Sequence, residues 1–146
     1  MAAQPLSETR LNPIKDLRSR KVDLAAQRLA EAQRVLAQRE SQLSELENYQ
    51  EPAPNGEVSV QMLANRENFR RRLAEAVRMQ RNAVADARQK VEAARAAWIE
   101  LRVEAQKIDK LIERSRVFES QVRERRSQRE IDELAVRLSL SASGGQ

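Results

Sequence analysis

Apolar residues recur at three- and four-residue steps through Leu73, Val77, Ala83, Val84, Ala87, Val91, Ala94, Trp98, Leu101, Ala105, Ile108 and Ile112. Two apolar positions in seven keep one narrow stripe on one side of a helix, which is the seam of a coiled coil rather than the broad face of a helix on a large core. Residues 57–143 hold neither proline nor glycine, so nothing in them stops a helix. Upstream, Ile14, Leu17, Val22, Ala25, Leu29, Ala32, Leu36, Arg39, Leu43 and Leu46 form a second seam, apolar but for Arg39. Its step from Leu17 to Val22 breaks the strict heptad, and the supercoil is expected to relax near Lys21.

Between the seams stands Glu51-Pro52-Ala53-Pro54-Asn55-Gly56. Two prolines followed by Asn-Gly cannot continue a helix, so the chain doubles back here. The predicted fold is all-α: an antiparallel two-helix coiled-coil hairpin with an overhanging C-terminal helix, as a single domain over residues 1–146. A flexible segment occupies 1–11. Helix 1 spans 12–50, opened by Asn12 as cap with Pro13 at the first helical position. The turn covers 51–58. Residues 59–72, where the stripe loses its period, read as irregular or as a short helix that Ser59 or Asn65 caps. The long helix follows over 73–139, and the Ser/Gly-rich tail 140–146 is expected to be disordered.

In an antiparallel pair, the numbers of facing residues have a constant total. A total of 123 sets Ala25 against Trp98, Leu29 against Ala94, Ala32 against Val91, Leu36 against Ala87 and Leu46 against Val77, so large meets small in most layers. It also brings Glu47 to Arg81 and Glu40 to Arg88. A slip of one heptad, to a total of 130, makes similar charge pairs, so charge alone leaves both registers open. Past residue 111 the long helix has no intrachain partner. Its Phe118, Val122, Ile131 and Leu138 would lie bare, which points to burial against another protein.

Composition narrows the function. The chain is 34% charged and 3% aromatic, too few large apolar side chains for a deep core, and its helix-forming mixture fits a coiled coil. With no Cys there is no disulfide framework. With no His as well, a zinc site and the commonest general base are both missing. The adjacent carboxylates Asp132 and Glu133 diverge by about 100° on a helix and cannot converge on a substrate. A pair of helices this long and thin is not expected to wall a pocket. The reading is a non-enzymatic protein with no catalytic residues, metal, cofactor or small-molecule substrate.

The N-terminus lacks the apolar core of a signal peptide, and no run approaches 18 apolar residues, so a cytoplasmic protein, at most peripheral to a membrane, is expected. Net charge is +5 with pI near 10.2, much of it from Arg66, Arg70, Arg71, Arg72, Arg78, Arg81, Arg88 and Lys90. A nucleic-acid-binding coiled coil is therefore one alternative. No aromatic platform interleaves the arginines, however, and many have carboxylates in reach. A generic coiled-coil scaffold or homodimer is the other.

A sparse set of positions then carries a resemblance. It comprises Leu46, Tyr49 and Gln50 at the end of helix 1; Asn65, Phe69, Leu73 and Gln80 after the turn; Lys90-Val91-Glu92 with Ala94 and Trp98; Asp109-Lys110-Leu111; and Gln128-Arg129-Glu130-Ile131-Asp132-Glu133-Leu134-Ala135. On these the chain resembles the FliJ family of flagellar type III export proteins over nearly its whole length. The resemblance implies a hairpin similar to the central stalk of rotary ATPases, binding the export ATPase hexamer, the export gate membrane protein and export chaperones. It would sit in the cytoplasm, peripheral to the inner membrane at the flagellar base. It also implies gate binding at Phe69, Leu73, Ala76 and Gln80, and an ATPase-facing surface at Ile131, Asp132, Leu134 and Leu138. Two plainer readings stand beside these: Phe69 and Leu73 staple the turn against Tyr49 and Gln50, and Trp98 is a core knob over Ala25.

Overall fold

The computed structural model describes residues 7–144. It contains two helices and, among the described residues, no strand: α1, Glu8–Glu47, and α2, Val60–Ser143. Contacts divide the chain into two units, one of residues 21–101 and the other of residues 1–20 with 102–146. The division falls where the heptad breaks between Leu17 and Val22, and α1 remains helical across it.

Within residues 21–101 the arms of α1 and α2 run antiparallel. Arg81 Nη2 lies 3.0 Å from Glu47 and Arg88 Nη2 3.5 Å from Glu40, while Gln80 Nε2 donates to the Arg39 carbonyl at 2.9 Å. The Tyr49 and Phe69 rings stand 5.6 Å apart. The apolar and amide contacts settle what the charges left open. A total of 130 would put Tyr49 level with Arg81, about three turns of helix from Phe69, whereas Tyr49–Phe69, Gln80–Arg39 and Gln80–Gln42 total 118, 119 and 122, all nearer to 123. Ala25, Val84, Ala87 and Val91 are buried. Leu29, Ala32, Leu36, Leu46, Val77, Ala94 and Trp98 are half-buried, as expected of a seam only two helices deep.

The other unit pairs the start of α1 with a later part of α2, also antiparallel. Arg116 Nη2 meets Glu8 at 2.6 Å, Lys15 Nζ lies 3.6 Å from Asp109, and Arg18 Nη1 lies 3.8 Å from Glu104. Leu11, 2% exposed, and Ile112, 3% exposed, close its core. From Arg116 to Gly144 every residue is exposed.

The helix limits differ from those read in the sequence, each for a local reason. α1 starts at Glu8, not at residue 12: the Ser7 carbonyl accepts from the amides of Arg10 and Leu11 at 3.0 and 3.1 Å. Pro13 is thus inside the helix, where it supplies no amide to the Thr9 carbonyl. Burial of Leu11 and the Glu8–Arg116 pair, which also places an acid in the first turn, offset that loss. α1 ends at Glu47 rather than residue 50, with Asn48 and Tyr49 closing the last turn onto the Ser44 and Leu46 carbonyls.

At the other arm Ser59, not Asn65, is the cap. Its Oγ accepts from the Met62 amide at 3.2 Å and its carbonyl from the Leu63 amide at 3.1 Å. The helix then continues without interruption, so residues 60–72 are its first turns and not a separate segment. It also outlasts the expected stop at 139: residues 140–143 are helical, and the Gly144 amide returns to the Leu140 carbonyl at 3.0 Å. Residues 1–6, 145 and 146, expected to be flexible or disordered, lie outside the described residues. Gly56, at φ +93°, makes the reversal between the helices.

Candidate functional site

The turn is tied down from both sides. Glu51 accepts from Arg66 Nε at 3.0 Å and from Arg70 Nε at 3.3 Å, and Arg66 Nη2 also donates to the Pro52 carbonyl at 3.3 Å. A single carboxylate thereby pins the proline segment to the first turns of α2. The Arg66 hydrogen bond, with the charges of Arg66 and Arg70 behind it, holds the Glu51 carboxyl below the usual glutamate range, against partial burial that pulls the other way.

A second clamp lies three turns further along α2. Gln80 Nε2 donates to the Arg39 carbonyl and to Gln42 Oε1, at 2.9 and 3.2 Å. Between the clamps the Tyr49 and Phe69 rings pack at a tilt of 53°, a contact worth about 0.5 to 1.5 kcal/mol beyond burial.

The arms do not close over the gap between the aromatic pair and Gln80. They leave an open groove of about 660 Å³, lined by Leu46, Tyr49, Phe69, Leu73, Ala76 and Gln80, with Gln42, Glu45 and Arg72 also on its walls. Ala76 keeps the groove open because its side chain ends at Cβ. The expectation that two thin helices wall no pocket therefore fails at the turn, where Tyr49 and Phe69 line the groove together. An apolar lining with polar groups at its margin suits an apolar segment of another protein.

Sequence reasoning expected Phe69, Leu73, Ala76 and Gln80 to share a face of α2, and all four line this groove. It did not place Leu46, Gln42 or Glu45 there, because the α1 wall exists only once the register is set. The stapling reading also holds for Phe69, with Tyr49 as its partner. Gln80 is engaged with α1 rather than presented to a ligand, so it positions the wall. The two roles of Phe69 are compatible: its ring packs on Tyr49, while the residue remains 42% exposed and lines the groove.

Ile131, Leu134 and Leu138 belong to the other unit and are exposed on α2. Asp132 there accepts from Gln128 Nε2 at 3.1 Å and, with Glu133, Val136 and Arg137, lines a shallow depression.

The arginine-rich face is largely neutralised. Arg66 and Arg70 serve Glu51; Arg71 pairs with Glu67, Arg78 with Glu75, Arg81 with Glu47 and Arg88 with Glu40. Such pairing weakens the field that a nucleic-acid backbone would follow. Among the described residues no group of acids could hold a metal ion, and no helix is long and apolar enough to cross a membrane.

The Glu51 clamp gives a pH prediction. Since the folded carboxyl titrates below its unfolded value of about 4.3, its contribution is complete above that value and is lost as pH falls through the lower folded one. A carbon-detected NMR titration of the Glu51 carboxyl is expected to give a depressed midpoint, which Arg66→Gln moves back up. Exchange of the turn amides should quicken in the same acidic window while the helices persist. A Glu51 midpoint unchanged by Arg66→Gln would show that the clamp does not form in solution.

Comparison with family models finds a match to the one described as "Flagellar FliJ protein", over residues 7–144. No curated protein gives a significant match.

Proposed function

Because the chain belongs to the flagellar FliJ protein family, and is therefore a flagellar export-related coiled-coil protein, we propose that it acts as a non-enzymatic stalk between the export ATPase hexamer and the export gate membrane protein. In this reading the groove at the turn receives the gate, and the exposed end of α2, overhanging α1, is buried in the ATPase ring. Export chaperones are handled by the same molecule, at the cytoplasmic side of the inner membrane at the flagellar base. The observation that carries the reading is the groove itself: an apolar cleft walled by both arms and braced by Tyr49 on Phe69. All four positions assigned to gate binding line this open apolar groove.

The test is binding to the purified cytoplasmic domain of the gate protein. Ala76→Arg fills the groove from its α2 wall with a residue of higher helix propensity than most. It should therefore weaken binding at least tenfold while far-UV circular dichroism is unchanged. Phe69→Ala should weaken binding too, but with a stability cost of about 1 kcal/mol from the lost ring contact. Undiminished binding by Ala76→Arg would remove the groove from the function.

A further inference from the structure

The seam that α2 presents to α1 does not end where α1 does. Continuing from Ile112 at alternating three- and four-residue steps, the same side of α2 passes Ser115 and Glu119 and reaches Val122, Arg126, Arg129, Glu133, Val136 and Leu140. Phe118 borders this stripe, since Phe118 and Val136 are five turns apart, as are Val122 and Leu140. Ile112 is buried, whereas Phe118 is 47% and Leu140 66% exposed. Among the described residues no ion pair involves a side chain beyond Arg116. Arg125, Arg126, Asp132 and Glu133 are thus charged, exposed and without an ion-pair partner, Asp132 making only its hydrogen bond to Gln128.

From Phe118 to Leu140 the order on and beside this stripe is apolar, basic, acidic, apolar, which is complementary in charge to its own reverse. An antiparallel second copy, with facing numbers totalling 258, sets Phe118 against Leu140 and Val122 against Val136. It sets Arg125 against Glu133 and Arg126 against Asp132, and every pair recurs across the two-fold axis. Such an interface is isologous, one patch complementary to itself. Arg129 falls on the axis, where it meets its own copy but lies within one turn of the other chain's Asp132 and Glu133. A parallel pair would instead stack Arg125 on Arg125 and Glu133 on Glu133, so the charges select the antiparallel arrangement. Ile131, Leu134 and Leu138 are not part of this stripe: Leu134 is rotated about 160° from Phe118.

We propose that the exposed continuation of the α2 seam is a self-association surface, on which a second copy of this chain packs antiparallel about a two-fold axis at Arg129. The stripe is about three heptads long, near the lower limit for a stable coiled coil, so the dimer forms reversibly and weakens with salt.

Because the chain has no cysteine, single cysteines introduced into the full-length protein report the arrangement. Under mild oxidation Arg129→Cys should give a disulfide dimer. Val122→Cys alone should not, since its two copies would lie about 21 Å from each other along the axis at about 1.5 Å per residue. An equimolar mixture of Val122→Cys and Val136→Cys should cross-link again. Sedimentation equilibrium should show the mass rising towards twice the monomer with concentration. The Arg125→Glu/Arg126→Glu variant should lower the association constant at least tenfold, and adding Asp132→Arg/Glu133→Arg to the same chain should restore it. These residues are exposed, so helicity serves as the folding control. A monomer at every concentration, efficient cross-linking of Val122→Cys with itself, or cross-linking of Leu134→Cys in preference to Arg129→Cys would each overturn the proposal.

Discussion

Val91→Asp is expected to remove about 4 kcal/mol of stability, enough to melt the packing of residues 21–101 near room temperature. Val91 is 5% exposed, at the level of Ala32 on α1, and the described contacts provide no cation aimed at it. An aspartate there must bury an unpaired carboxylate or force the arms apart, one of the few mechanisms that produce effects of this size. Val91→Ala removes only two carbons and should cost about 1.6 kcal/mol, so the two variants separate buried charge from lost packing. A thermal melt followed by circular dichroism checks both. If Val91→Asp melts with the unaltered protein, the seam is not where the buried residues indicate. The cost should also ease at low pH, where the carboxyl is neutral, which a purely steric effect would not reproduce.

The opposite pattern is expected at the exposed end of α2. Ile131→Asp/Leu134→Asp/Leu138→Asp should abolish stimulation of the purified export ATPase while changing the melt little, because exposed substitutions usually fall within about 0.5 kcal/mol each. All three side chains are more than half exposed, so nothing within the chain loses a packing partner. Three new charges on the face proposed to enter the ring bore would make its desolvation unfavourable. Full stimulation by the triple variant would exclude this stripe from ATPase contact. A large drop in melting temperature would instead mean that the stripe is buried within the chain. Since these residues lie on the side of α2 away from Phe118, self-association through the Arg129 axis should survive the same substitutions, and the two surfaces can be tested separately.

The assignments at the turn show where sequence reasoning stops. Phe69, Leu73, Ala76 and Gln80 share one face by helical spacing alone, and spacing was sufficient to group them. Whether that face was core, staple or cleft depended on what stood opposite. Tyr49 and Leu46 come opposite only in the register that the ring contact and the Gln80 bond select. The charge pairs Glu47–Arg81 and Glu40–Arg88 were legible but undecided, because heptad-spaced arginines offer equivalent partners one heptad away. The helix start was misplaced for a related reason. Asn12-Pro13 is a good local start signal, but burial of Leu11 and the pairing of Glu8 with Arg116 more than a hundred residues away outweigh it.

By itself the sequence determined the two helices, the reversal at the proline pair and the seam positions, because these follow from local spacing, from backbone donors that proline lacks and from the freedom of Gly56. Tertiary structure alone decided the register, the uninterrupted start of α2 and the opening of a groove beside Ala76. Each depends on side chains distant in sequence coming to the same level, and periodicity repeats too evenly to choose one level over the next.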